Sequence, residues 1–286
     1  FLLSKGKMKE RKFEIFEISK YENLKEMEKE LLGFINENPY ALLDNDIITA
    51  SKILYSSKSN ISRLSKKIGF KHLIDMKLYM QATIALHELY DVKKENDTES
   101  RISNLKAYNI YAINETLTNI EIKTIKDIAK DIKLANRVFC FGIGSSFLPA
   151  YELSSNLMKL GINCTSTTDI HNLLLALSHS KWKDFLIIFS KSGKGKEITF
   201  LLKVCENLKI DVAIITTNQE DLKVKYKILM SDLDKHKRII ATSSKICMLA
   251  ICDVIYYELY SADEYADKSL SIGIDLLEWW KRFSSD

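Results

Sequence analysis

The sequence predicts two folds in series: an all-α domain over residues 1–90 and an α/β domain with a mostly parallel sheet over residues 101–286, joined by a linker at 91–100. Three observations carry this expectation. Residues 20–90 place apolar side chains at helical spacing and show no strand signal. Residues 91–100 read Asp-Val-Lys-Lys-Glu-Asn-Asp-Thr-Glu-Ser, with almost nothing to bury. Beyond position 137 a short apolar run twice feeds a loop of small and hydroxyl residues that opens an amphipathic helix, the pattern of a βα unit.

The bulk composition allows this. At 286 residues, 46% apolar and 28% charged, the chain can form one large domain or two modest ones. A net charge of +4 implies no polyanion partner by itself, so a nucleic-acid surface must come from local clustering. The five Cys, at 140, 164, 205, 247 and 252, form no C-x-x-C pair and lie mostly in apolar runs, as buried reduced thiols do. No run approaches the roughly 20 apolar residues of a membrane span, and Phe1-Leu2-Leu3 is too short for a signal core, so the expected location is cytoplasmic with no membrane partner. Phe1 to Lys7 precede Met8, a candidate natural start.

In chain order, Leu24, Met27, Leu31, Leu32, Phe34 and Ile35 make one amphipathic helix that ends at Asn38-Pro39. Asp44 and Asp46 are cap candidates for a helix over 47–54. Ser57 is a cap for a helix over 58–68 that stops at Gly69. Two short helices joined by Tyr55-Ser56 are a helix-turn-helix arrangement. Lys52, Lys58, Arg63, Lys66, Lys67, Lys71 and Lys77 stand here against Asp75, a basic patch that is also compatible with an ordinary solvated surface. The second helix leads with Lys58, Ser59, Asn60, Ser62 and Arg63, while Ile61, Leu64 and Ile68 face inward. Leading residues of a recognition helix meet base edges, so Arg63 suits guanine and Asn60 adenine, with Lys66, Lys67 and Lys71 placed for phosphates and Ser57 at the helix entry.

Past the linker, helices are expected over 102–120 and 122–134, packed within the chain or against a second copy. A strand at 137–141 enters Gly142-Ile143-Gly144-Ser145-Ser146, then a helix at 147–160 with Pro149 in its first turn and Gly161 as its stop. A second strand is expected at 162–165, and Asp169 caps the helix that carries His171 in its first turn, a better reading than an acid–base pair. The strand at 185–189 enters Ser190-Lys191-Ser192-Gly193-Lys194-Gly195-Lys196-Glu197 before a helix at 198–208. Further strands are expected at 212–215 and 239–241; in the segment 219–237 between them, Asp232, Asp234, Lys235, His236 and Lys237 read as an exposed loop. A late helix capped by Ser243 carries Ile246, Leu249, Ala250, Val254 and Ile255 toward a ligand pocket or subunit interface, and an amphipathic helix spans 267–283. The two Gly/Ser loops suit an anion, because amides at a helix N-terminus are unsatisfied and the helix dipole favours negative charge; either loop alone also fits a plain βα connection. Neither is a dinucleotide fingerprint nor a Walker loop. No metal site or cofactor is expected.

The loops GIGSS and SKSGKGKE, with Thr168-Asp169-Ile170-His171 between them and Ile214-Ile215-Thr216 after, resemble a sugar-isomerase (SIS) domain, a three-layer α/β module of flavodoxin-like layout. The late helix from Ser243 to Asp253 is similar to that of SIS domains in regulators. The resemblance implies a phosphosugar site drawn from Gly144, Ser145, Ser146, Ser190, Ser192, Gly193, Gly195 and Glu197. The run from Tyr55 to Phe70 resembles the helix-turn-helix of RpiR-family bacterial transcription regulators, in which that motif precedes a SIS domain. Tyr55 stands where the family has a turn glycine, which predicts a reshaped turn, and Gly195 stands where it has Thr. The Ser-Pro-Leu that follows the fourth strand in the family is missing. The resemblance implies a non-enzymatic regulator that binds operator DNA and a phosphosugar effector as a homodimer or homotetramer. The alternatives are a sugar-phosphate isomerase using Glu197 as general base, or a regulator with a degenerate sensor.

Overall fold

The computed structural model describes residues 13–90, 97–180, 183–231, 243–262 and 266–283. The chain separates into two units, Phe1–Tyr111 and Ala112–Asp286.

The first unit holds α1 (Glu26–Glu37), α2 (Tyr40–Leu43), α3 (Ile47–Ile53), α4 (Lys58–Lys67), α5 (Leu73–Tyr90) and the first part of α6 (Thr98–Thr118). Thr98, within the segment expected as linker, already belongs to α6, while 91–96 lie outside the described residues. One core joins Leu31, Leu32 and Ile35 of α1 to Ala50, Ile61, Leu64, Met76 and Met80. Met27 and Phe34, expected on the buried face of α1, are instead 76% and 49% exposed. At 100° per residue Met27 and Phe34 fall to one side of the face that Leu31, Leu32 and Ile35 turn to the core. Ile15 and Phe16 of the entry segment join this core, and the Asn36 side chain clamps the Phe16 backbone, accepting its N–H and donating to its carbonyl.

The second unit is a three-layer α/β fold. A sheet of β1 (Val138–Gly142), β2 (Cys164–Thr167), β3 (Phe185–Phe189), β4 (Asp211–Thr216) and β5 (Tyr226–Leu229) runs in the order β2-β1-β3-β4-β5, every pairing parallel. Strand side chains alternate faces, and here both faces are covered. Val138, Cys140, Phe185, Ile187, Ala213 and Ile215 pack under α7 (Ile122–Leu134), α8 (Phe147–Lys159) and α11 (Ser243–Ser261). Phe139, Phe141, Leu186, Ile188, Val212 and Ile214 pack under α9 (Ile170–Ser178) and α10 (Lys196–Leu208). All five cysteines are free and buried.

Two strand expectations need correction. β2 begins two residues later than expected. β5 falls where no strand was expected, because its Lys227 and half-buried Tyr226 give the mixed pattern of a sheet edge and not an apolar run, while the loop expected from Asp232 to Lys237 lies outside the described residues. The strand expected at 239–241 lies outside the described residues. On α11, Ile255 points into the core with Cys247, Met248, Ile251 and Cys252, away from any surface groove. The chain continues into α12 (Ala266–Phe283), along which every residue from 271 to 283 is exposed.

Candidate functional site

β1 and β3 are neighbours, yet α8 leaves β1 for one face and α10 leaves β3 for the other. Where successive connections diverge in this way, a crevice opens at the carboxyl ends of the strands. The loops 143–146 and 190–195 sit at that edge. Gly142 fixes the first: a Cβ there would stand 2.2 Å from the Ser146 carbonyl oxygen, so only glycine lets the loop fold back on the strand. Ser145 is exposed and Ser146 half-buried at the N-cap of α8.

The second loop is built from beneath by the end of β4. The Thr216 and Thr217 hydroxyls both donate to the Lys191 carbonyl, at 2.8 and 2.9 Å, and the Thr217 N–H donates to it at 2.9 Å. Thr216 Oγ1 in turn accepts the Asn218 N–H at 3.1 Å. Within the loop, Ser190 Oγ accepts the Gly193 N–H at 3.2 Å and Ser192 Oγ accepts the Lys194 N–H at 3.3 Å. Each serine keeps its own O–H to donate outward. Gly193 has a φ of 62°, a conformation that favours glycine, and lies against Thr216 and Leu222.

Neither Ser146 nor Gly195 caps its helix with a side chain, whereas Asp46, Ser57 and Asp169 cap α3, α4 and α9. Of the first amides of α8, that of Phe147 donates to the Gly144 carbonyl and Pro149 has none, whereas those of α10 remain for solvent or an anion; the positive ends of both helix dipoles lie behind the loops. Lys194 Nζ binds Glu220 Oε1 at 2.7 Å, and that hydrogen bond holds the Glu220 carboxyl below its usual range. Glu197 is exposed in the first turn of α10, with Oε2 3.6 Å from where a Cβ on Gly195 would stand. Its carboxylate thus lies back over the loop. Asp169 caps α9, accepting the backbone N–H groups of His171 and Asn172. Among the described residues no cluster of three or more His, Cys, Asp or Glu can hold a metal ion.

Sequence reasoning missed Thr216, Thr217, Asn218 and Glu220 as the support of the second loop. The signal was their place at the end of the strand beside β3, where loops of a parallel sheet converge. Asn218 is 8% exposed, and its Nδ2 has no hydrogen-bond partner among the described residues.

In the first unit, Asp46 accepts the amides of Ile48 and Thr49, at 2.7 and 2.8 Å, and Ser57 Oγ accepts that of Asn60 at 3.1 Å. These caps start α3 and α4 where expected. The turn between them keeps the backbone that glycine would adopt, because Tyr55 has a φ of 47° and is 92% exposed; the turn is not reshaped. Ile61, Leu64 and Ile68 face the core, leaving Lys58, Ser59, Arg63 and Lys66 exposed and Asn60 and Ser62 half-exposed. Arg63 Nη2 donates to Asn60 Oδ1, so the two expected base readers hold each other. Lys67 is engaged elsewhere: its ammonium binds both oxygens of Glu28 on α1, at 2.7 and 2.9 Å, which lowers the Glu28 carboxyl pKa. Lys77 donates to the Asn45 carbonyl at 2.9 Å, while Lys71 is exposed just past α4. No helix among the described residues is long and apolar enough to cross a membrane.

Residues 131–258 match the family model of the SIS domain, so the α/β unit carries a SIS domain. Along most of its length the chain is similar to uncharacterized HTH-type transcriptional regulators. One from Thermotoga maritima is 26% identical over 260 residues, covering 88% of this chain and 93% of the relative. Another from Haemophilus influenzae is 22% identical over 256 residues, covering 86% and 89%. Among solved structures, the Vibrio vulnificus NanR protein complexed with ManNAc-6P superposes with a TM-score of 0.57 at 18% identity, over 91% of this chain and 95% of that one. The sugar isomerase domain of an RpiR transcription factor from Sphaerobacter thermophilus gives 0.54 at 17% identity, over 60% of this chain and 96% of that one. At such identities the structures speak to fold. Its resemblance to RpiR-family regulators holds: a helical unit with a helix-turn-helix, then a SIS domain.

Proposed function

We propose that this chain is a cytoplasmic, DNA-binding transcription regulator whose SIS domain senses a phosphorylated sugar or amino sugar. The observation that carries the reading is the pairing, in one chain, of an exposed basic recognition face on α4 with a crevice into which two uncapped helix N-termini open.

On the DNA side, Arg63 and Asn60 exchange their mutual hydrogen bond for base edges. Lys58, Lys66 and Lys71 meet phosphates, while Ser57, Ser59 and Ser62 lie along the same face. Lys67 reaches a phosphate only by leaving Glu28. On the effector side, the phosphate lies between the amides of the two loops and the hydroxyls of Ser145 or Ser146, Ser190 and Ser192, with Gly144, Gly193 and Gly195 giving the backbone close approach. Glu197 is an acceptor, so it suits sugar hydroxyls and not the phosphate. Sensing requires that the effector bind one DNA-affinity state better than the other; a ligand that fits both equally shifts nothing.

The test is binding of the purified chain to DNA from its own upstream region across a salt series, repeated with a panel of sugar phosphates. The expected result is a discrete site whose affinity one sugar phosphate changes and which falls steeply with salt. Absence of DNA binding, together with isomerase turnover of a sugar phosphate abolished by Glu197→Gln, would replace the proposal with the enzyme reading. Site-specific binding that no sugar phosphate alters would leave a regulator without a working sensor.

A further inference from the structure

We propose that Tyr55, in the turn of the helix-turn-helix, donates its phenol O–H to a phosphate oxygen of the operator backbone and so fixes how α4 enters the groove. The inference rests on the DNA-binding reading above and adds to it a neutral, directional contact that the lysines of the basic face do not supply.

Tyr55 is a residue for which the fold of the first unit has no use. Its ring is 92% exposed, and Leu54 beside it already fills the core at 3% exposure. The turn is closed by backbone alone: the Tyr55 N–H donates to the Lys52 carbonyl at 3.3 Å and the Ser56 N–H to the Ser51 carbonyl at 2.9 Å. Glycine would meet both demands at a φ of 47° without strain. A bulky side chain held in left-handed backbone while its ring stands in solvent is a cost that folding does not explain, and such outliers gather at binding sites.

The position says what the ring meets. Tyr55 stands two residues before Ser57, the N-cap of α4. A helix with its side chains is about 10–12 Å across and the major groove about 12 Å wide, so a helix that leads into the groove with its N-terminal end leaves the chain just before that end at the groove wall, which is sugar and phosphate. Base edges lie deeper, toward Asn60 and Arg63 further along α4. The surroundings carry the charge that draws such a wall in: no carboxylate occurs from Ile47 to Ile74, and Lys52 and Lys58, three residues to either side of Tyr55, are both exposed. An ammonium on a flexible stem attracts a phosphate without aiming at it. A phenol carries one O–H on a rigid ring with two side-chain torsions, and tyrosine is among the side chains that hydrogen-bond phosphate oxygens.

The test titrates the full chain, as wild type, Tyr55→Phe and Tyr55→Gly, onto the site in its own upstream DNA across a salt series and onto single-base variants of that site. Tyr55→Phe keeps ring and backbone and removes only the oxygen. It is expected to weaken every sequence alike by about tenfold with the salt slope unchanged, because a neutral donor releases no counterion. Replacing phosphates one at a time by uncharged methylphosphonates should find a position where the modification costs the wild type about tenfold more than it costs Tyr55→Phe. Tyr55→Gly is expected to bind at least as weakly as Tyr55→Phe although its fold is the more stable, a divergence that a merely structural ring would not produce. Equal affinity of Tyr55→Phe and wild type, or a loss confined to one base-pair position, overturns the phosphate contact and leaves the DNA-binding reading intact. A wild type that binds no DNA overturns both.

Discussion

Replacing Tyr55 by glycine is expected to stabilise the first unit, although it removes an aromatic ring. With a φ of 47°, Tyr55 occupies left-handed backbone that costs an L-residue about 1–2 kcal/mol. The ring is 92% exposed, so its removal forfeits almost no burial. Against the relief stands the greater freedom of glycine in the unfolded chain, roughly 0.5–1 kcal/mol. The balance is a gain centred on about 0.75 kcal/mol and no larger than about 1.5 kcal/mol, or a roughly three- to fourfold slower exchange of amides that open with the unit. The assay is native-state hydrogen exchange at the amides of Leu54, Ser56, Ile61 and Ile68, which close the turn and the ends of α3 and α4. Tyr55→Val, which puts a β-branched side chain into the same backbone, should lower protection at those positions. Equal or faster exchange in Tyr55→Gly would refute the assignment of strain to this residue.

Other consequences follow from the two surfaces. Arg63→Ala should relax base preference at one operator position by about 1–3 kcal/mol, measured as binding to a set of single-base operator variants, while Lys66→Ala should weaken every sequence alike and reduce the salt slope by about one. Glu28→Gln should release Lys67 and steepen the slope of affinity against salt; an unchanged slope would show that Lys67 stays off the DNA. The same pair sets a pH window. Because the Glu28 carboxyl is lowered by the Lys67 hydrogen bond, its contribution to folding is present above the unfolded carboxylate pKa and is lost as pH falls through the lowered value. Acid unfolding of Glu28→Gln should therefore begin less steeply than that of the wild type. Gly142→Ala, whose Cβ would stand 2.2 Å from a backbone oxygen, should cost about 1–3 kcal/mol in thermal unfolding and displace the first turn of α8; an unchanged melting curve would remove Gly142 from the scaffold of the site.

What could be read before folding was local. The apolar runs at β1 and β3 are so dense because both faces are covered, and the caps at Asp46, Ser57 and Asp169 need only a side-chain oxygen and the next two or three amides. What could not be read depends on distant chain. Lys67 meets Glu28 across 39 positions, Thr216 meets Lys191 across 25, and Phe16 joins the core from well outside α1. β5 was hidden for a related reason. An edge strand pairs on one side only, so Tyr226-Lys227 can remain half in water and carries neither an apolar run nor a clean alternation.

The placement of the cysteines gives the molecule a pair of built-in clocks. All five thiols are buried and all belong to the unit Ala112–Asp286; the unit Phe1–Tyr111 has none. A coloured thiol reagent therefore times openings of the sheet and its helices and is blind to melting of the other half. The two layers tick separately: Cys205 lies on the inner face of α10, while Cys140, Cys164, Cys247 and Cys252 lie on the opposite face of the sheet. Burial lifts the Cys205 thiol to about 12, so the closed form offers almost no thiolate at neutral pH and each labelling event there records a breath of that one layer.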